Sequence, residues 1–135
     1  MKEYASHDGL GLAALVARGE VSPVELVEAA IARIERHNGA LNAVVYKAYD
    51  EARRAAAGTL PEGPFKGVPF LVKDLARRVA GWPCSMGSVF AELGPAAGDS
   101  VLVQRYREAG AISPCIGAIP GTDFDAALEA VAELI

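Results

Sequence analysis

Lys73 is the residue of this chain best placed to do chemistry. It closes the run Gly67-Val68-Pro69-Phe70-Leu71-Val72-Lys73-Asp74, in which an amine meets a short apolar stretch. An amine drawn partly out of water loses its proton more readily and can then act as a base. Ser88 is the best local serine to pair with it, and Ser85 is a second candidate. A serine hydroxyl near neutral pH needs a neighbouring base, an orienting group and an oxyanion hole before it attacks anything. The plain alternative is a solvated lysine at a strand end, or one paired with Asp74. Cys84 with His7 or His37 would make a thiol–imidazole pair. His37, however, falls near a helix end, where the C-terminal dipole favours a histidine without any catalytic reason. His7, His37, Cys84 and Cys115 lack paired ligand spacing, so no metal is expected. Gly81 and Gly87 serve turns, and no Gly-Lys-Ser/Thr follows them, so no phosphate loop is read there. Trp82 and Phe90 read as core or loop anchors before pocket walls.

The elements that must position Lys73 are legible in outline. Ser6 to Arg18 reads as a short first helix, weakened by Gly9 and Gly11. The second helix is the clearest: Ser22 caps it, Pro23 takes its first position, and Glu25 completes a capping box. Val27, Ile31 and Ile34 recur on one face, and Asn38-Gly39 closes it. Leu41 to Tyr46 suits an extended segment, Tyr49 to Ala57 a helix, and Pro61-Glu62-Gly63-Pro64 a loop. Val68 to Val72 reads as a buried strand, although Pro69 argues against full pairing. Period-two alternation puts Lys73 on one face with Leu71 and Pro69, and Val72 on the other with Phe70. A loop from Gly81 to Gly98 is long enough to fold back over the strand end. Lys73 is therefore expected there with its amine partly buried near Ser88. Asp99-Ser100 opens another helix before Gly110. Ala111-Ile112 starts a strand that Ser113-Pro114-Cys115 breaks, and Thr122 caps a last helix, Asp123 to Ile135. Helices alternating with strands indicate an α/β chain of one domain, 1–135.

The bulk numbers narrow the function. With 135 residues, 52% hydrophobic and 22% charged, the chain reads as globular. A net charge of -4 leaves no basic footprint, so nucleic acid is not an expected partner. No apolar run is long enough to span a bilayer, and Met1-Lys2-Glu3-Tyr4 does not begin a signal peptide, which places the expected setting in the cytoplasm. Two cysteines in such a chain read as reduced thiols.

Five segments in order resemble the amidase signature family, whose members hydrolyse amides with a Ser–Ser–Lys triad. Ser22-Pro23-Val24-Glu25-Leu26-Val27 resembles its Ser-x-Glu-Leu helix start, and Leu41-Asn42-Ala43 its Leu-Asn-Ala segment. Gly67-Val68-Pro69 with Val72-Lys73-Asp74 is similar to its Gly-Val-Pro…Val-Lys-Asp block. Gly81, Gly87 and Ser88 follow in the expected order, and Asp99-Ser100 through Ala109-Gly110-Ala111 resembles the next helix and turn. The likeness is clearest over 22–112, with 113–135 divergent. It implies a partial fold of that type, N-terminal helices plus a truncated mixed or parallel sheet.

The resemblance makes Lys73 the ancestral general base. In the family this lysine draws a proton, through a bridging serine, from the nucleophilic serine, and a backbone oxyanion hole holds the tetrahedral intermediate. Ser88 falls at a position that is structural in the family, at the edge of the site. The family continues with Gly-Lys-Thr-Asn and a Gly-Gly-Ser-Ser-Gly-Gly-Ser run, where this chain has Ile116-Gly117-Ala118-Ile119-Pro120. Thr122-Asp123-Phe124 is similar to a later Pro-Glu-Phe, and Asp125-Ala126-Ala127-Leu128 equally to a helix far downstream. The resemblance implies an amidase fragment acting on a small carboxamide without cofactor, inactive alone for want of the serine segment. The alternative is a non-catalytic α/β module with a structural or oligomerising role. An unpaired sheet edge makes a homo-oligomer the expected state.

Overall fold

In the computed structural model, residues 4–75, 77–88, 90 and 94–117 are described. A 3-10 turn, Tyr4–Ser6, is followed by α1 (Gly9–Ala17), α2 (Pro23–Leu41), β1 (Val44–Lys47), α3 (Tyr49–Ala57), β2 (Val72–Lys73), α4 (Val101–Glu108) and β3 (Cys115–Gly117). The expected last helix, Asp123 to Ile135, lies outside the described residues.

The first helix is shorter than expected because Asp8 restarts it. The Asp8 backbone is extended, and its carboxylate accepts the Gly11 N–H at 2.7 Å. The capping box of α2 is formed in full: the Ser22 hydroxyl accepts from Glu25 N–H, and the Glu25 carboxylate accepts from Ser22 N–H at 2.8 Å. That helix does not stop at Asn38-Gly39 but runs on to Leu41. The Asn38 side chain is busy elsewhere, exchanging two hydrogen bonds with the Val44 backbone at 3.0 and 2.7 Å. Asn42, at φ 49°, supplies the left-handed cap instead.

The sheet is mixed, in the order β1-β3-β2, with β1 antiparallel and β2 parallel to β3. The strand expected over Val68–Val72 is divided. Pro69 forms an isolated parallel bridge to Ile112, and regular pairing begins only at Val72 with Ile116. Between these pairings lie Phe70 and Leu71 on one side, but Ser113, Pro114 and Cys115 on the other. The extra residue is a bulge, so the break at Ser113-Pro114 bends the strand rather than ending it. The Pro114 carbonyl is used by the Ala48 N–H at 2.8 Å. Pro69 is tolerated because the ladder bypasses its nitrogen. Phe70 N–H donates to the Ile112 carbonyl, and Ile112 N–H to the Val68 carbonyl, both at 2.9 Å.

Each face of the sheet has its own cover. Ile34 of α2 packs with Ala43, Val44, Cys115 and Leu71. Val103 of α4 packs with Val79, Trp82, Val72, Phe70 and Tyr46 on the other face. Val44 and Tyr46 would share a face in a regular strand; the register shift between them sends them to opposite cores. Val72 and Phe70 fall together, as alternation requires.

Candidate active site

β2 carries Lys73 to the end of the described sheet, opposite Gly117 of β3. The residue is exposed, not partly buried as expected. Its amine has no hydrogen bond or ion pair among the described residues, to Ser88 or to Asp74. The Ser88 hydroxyl instead accepts the Phe90 N–H at 3.2 Å. The loop does fold back over the strand end, but onto the next residue. Asp74 alternates to the inner side, where it is 6% exposed, the one charged side chain buried among the described residues.

The Asp74 carboxylate gathers that loop. Oδ1 accepts the N–H groups of Ser85 at 2.9 Å and Met86 at 3.2 Å, and Oδ2 accepts the Ser85 hydroxyl at 2.5 Å. The Cys84 thiol also donates to it. Burial alone would raise the Asp74 pKa, yet the bonds from Ser85, Met86 and Cys84 outweigh it and hold the group below the ordinary aspartate value. The serine brought to the strand end is thus Ser85, and it serves the carboxylate. Asp74 was visible in the sequence only as a partner for Lys73. Its place on the Val72 face of the alternation was the signal for a buried role.

The remaining candidates separate cleanly. Cys84 is buried and turned to Asp74, so the thiol–imidazole pairing with His7 or His37 is not formed. Cys115 is fully buried, and desolvation pushes its thiol up to about 12, which leaves it protonated and unreactive. Both cysteines are free. Trp82 is a core anchor whose indole N–H donates to Glu51 at 2.8 Å, whereas Phe90 is 97% exposed. Among the described residues no cluster of three or more metal-ligating side chains occurs, and no helix is long and apolar enough to cross a membrane. A cleft of about 260 Å³ between α3 and α4 is lined by Glu51, Leu60, Trp82 and Tyr106, and it includes neither Lys73 nor Ser88.

Acid stability should report on Asp74. Its folded pKa lies below the unfolded value of about 3.9. Its stabilising contribution is therefore complete above about pH 5 and is lost as pH falls through the depressed folded value. Urea midpoints measured from pH 6 to 2.5 should fall less steeply in Asp74→Asn than in the parent. Parallel curves would show that Asp74 does not contribute.

A mixed sheet between helices, with an exposed lysine at a strand end and a loop gathered onto the neighbouring aspartate, defines an α/β module. The Amidase family model matches residues 25–126. The 6-aminohexanoate-cyclic-dimer hydrolase of Paenarthrobacter ureafaciens is 41% identical over 106 residues, which are 76% of this chain and 21% of that one. The solved 6-aminohexanoate cyclic dimer hydrolase superposes with a TM-score of 0.74 at 35% identity, covering 86% of this chain and 24% of its own. A bacterial aryl acylamidase of the amidase signature enzymes gives 0.74 at 34%, covering 84% and 25%. The chain belongs to the amidase signature family. It spans about a quarter of the length of these relatives, and its mixed α/β arrangement matches part of their fold.

Proposed function

We propose that this chain is the N-terminal portion of an amidase-type hydrolase and carries its ancestral general base, Lys73. The complete reaction would be hydrolysis of a small carboxamide to an acid and ammonia or an amine, in a cytoplasmic setting. The carrying observation is the free Lys73 amine at the end of β2, inside the family-matched segment. The exposed amine faces solvent. Packing a serine-bearing segment against this strand end would desolvate it and supply both the bridging and the attacking hydroxyl. The 135 residues contain no such Gly/Ser-rich segment. The chain by itself should then show no amide hydrolysis above background, and Lys73→Ala should change nothing. Turnover of a simple aliphatic or aryl amide that disappears in Lys73→Ala would overturn this.

The second reading, a non-catalytic α/β module, is favoured by one observation: the local serines are occupied elsewhere, Ser85 by Asp74 and Ser88 by Phe90. It carries its own expectation. Both β1 and β2 are outer strands of the described sheet, and Val45 of β1 is 48% exposed. Unpaired strand edges recruit a second copy. Light scattering across a concentration series should show dimers or larger species, and a clean monomer at high concentration would count against self-association. The helix expected at Asp123 to Ile135 as a contact lies outside the described residues.

A further inference from the structure

We propose that Asp74 is a positioning residue: its buried carboxylate latches the Cys84–Ser88 loop onto the end of β2, and this latch fixes where the Lys73 amine leaves the sheet. The functional weight of this latch rests on the reading of Lys73 as the ancestral base.

The geometry is specific. Lys73 and Asp74 are held from two directions. Asp74 N–H donates to the Gly117 carbonyl of β3 at 2.8 Å, and Leu75 N–H closes a tight turn on the Lys73 carbonyl at 2.8 Å. From the other direction the Asp74 side chain takes the Ser85 N–H, the Ser85 hydroxyl, the Met86 N–H and the Cys84 thiol. No cation pairs with it among the described residues, so hydrogen bonds alone compensate its buried charge. The loop it holds is itself under constraint. Met86, at φ 52°, and Gly87, at φ 68°, are the two central residues of a turn closed by Ser88 N–H to the Ser85 carbonyl at 3.0 Å. Two left-handed central residues define a type I′ turn, and methionine is strained in the first position. The bond from Met86 N–H to Asp74 offsets that strain directly. Cutting the carboxylate away removes the loop's anchor, its reason for the Met86 conformation, and one of the two fixings of the Lys73 backbone.

The test uses the full chain with Asp74→Asn and Asp74→Ala. Asparagine keeps an acceptor for the two N–H groups but not the charge, so it covers the case in which alanine fails to fold. Two signals are followed by nuclear magnetic resonance: exchange of the Ser85 and Met86 amides, and the resonance of a ¹³C-methylated Lys73. The sequence has only four lysines, and Lys73→Arg assigns that resonance. Amide protection should fall by about tenfold or more in Asp74→Ala and by less in Asp74→Asn. The Lys73 resonance should move from its parent position in the same order, because the backbone that carries it is released. In the parent, acidification should shift the Ser85, Met86 and Lys73 signals with one midpoint, and that midpoint should vanish in Asp74→Asn. Unchanged amides in both variants overturn the latch. Lost protection with an unmoved Lys73 resonance overturns the positioning role. Neither signal needs amide turnover, so the latch and the reading of Lys73 as a base can fail separately.

Discussion

Gly110→Ala should destabilise this protein by about 2–5 kcal/mol, seen as a large drop in its urea midpoint. Gly110 ends α4 in a Schellman turn, with Ala111 N–H bonded to the Tyr106 carbonyl at 3.1 Å and Gly110 N–H to the Arg107 carbonyl at 2.9 Å. Its φ is +84°, where a Cβ costs about 1–2 kcal/mol. A Cβ there would also stand 2.6 Å from Lys66 Cα and 3.0 Å from the Pro61 carbonyl oxygen. Those neighbours are backbone and cannot rotate aside, which adds about 1–3 kcal/mol of overpacking. The displaced segment leads into Gly67, whose N–H bonds the Gly110 carbonyl at 2.9 Å, and from there into β2 and Lys73. Gly39→Ala is the matched control. Gly39 lies inside α2 with nothing within 4 Å of its added Cβ, so alanine there should stabilise by about 0.5–1 kcal/mol. Equal effects at the two sites would sink the packing argument.

Ile34→Ala should cost about 2–5 kcal/mol, and Ile34→Val only about 0.5–1.5 kcal/mol. Ile34 is fully buried and is the α2 contribution to the cluster of Ala43, Val44 and Cys115. Its buried neighbours Ala43, Val44 and Cys115 are too short to fill the cavity left by alanine, and Leu41, Tyr49 and Leu71 pack only at the margin of the cluster. For a domain stable by about 5–15 kcal/mol, such a loss is a large share of the total. Cys115 provides a second readout, because its thiol is silent only while burial holds its pKa up near 12. Disulfide-exchange labelling of Cys115 should speed up in Ile34→Ala at urea concentrations well below the unfolding midpoint. If the midpoint and the labelling rate both match the parent, α2 is not what seals this face of the sheet.

Local rules in the sequence settled the start of α2, the span of α3 and the ancestry. Ser22, Pro23 and Glu25 specify the start of α2 through hydrogen bonds that span three residues, and the Tyr49–Ala57 helix is readable from its alanine content and the Gly58 that follows it. The order of the Ser22, Leu41, Gly67, Gly81 and Asp99 segments pointed to the amidase signature family without any structure. Tertiary contacts decided the rest. Asn38-Gly39 failed to end α2 because Asn38 is claimed by Val44, beyond the helix. Val68–Val72 failed to be one strand because the Ser113-Pro114 bulge lies on its partner, more than forty residues away in sequence. Alternation set the faces of Phe70, Val72 and Asp74, but it could not say which residue the Gly81–Gly98 loop would meet. Charge made that choice. A buried carboxylate must gather donors, and Ser85, Met86 and Cys84 supply them; an exposed ammonium is satisfied by water, and Lys73 is left facing it.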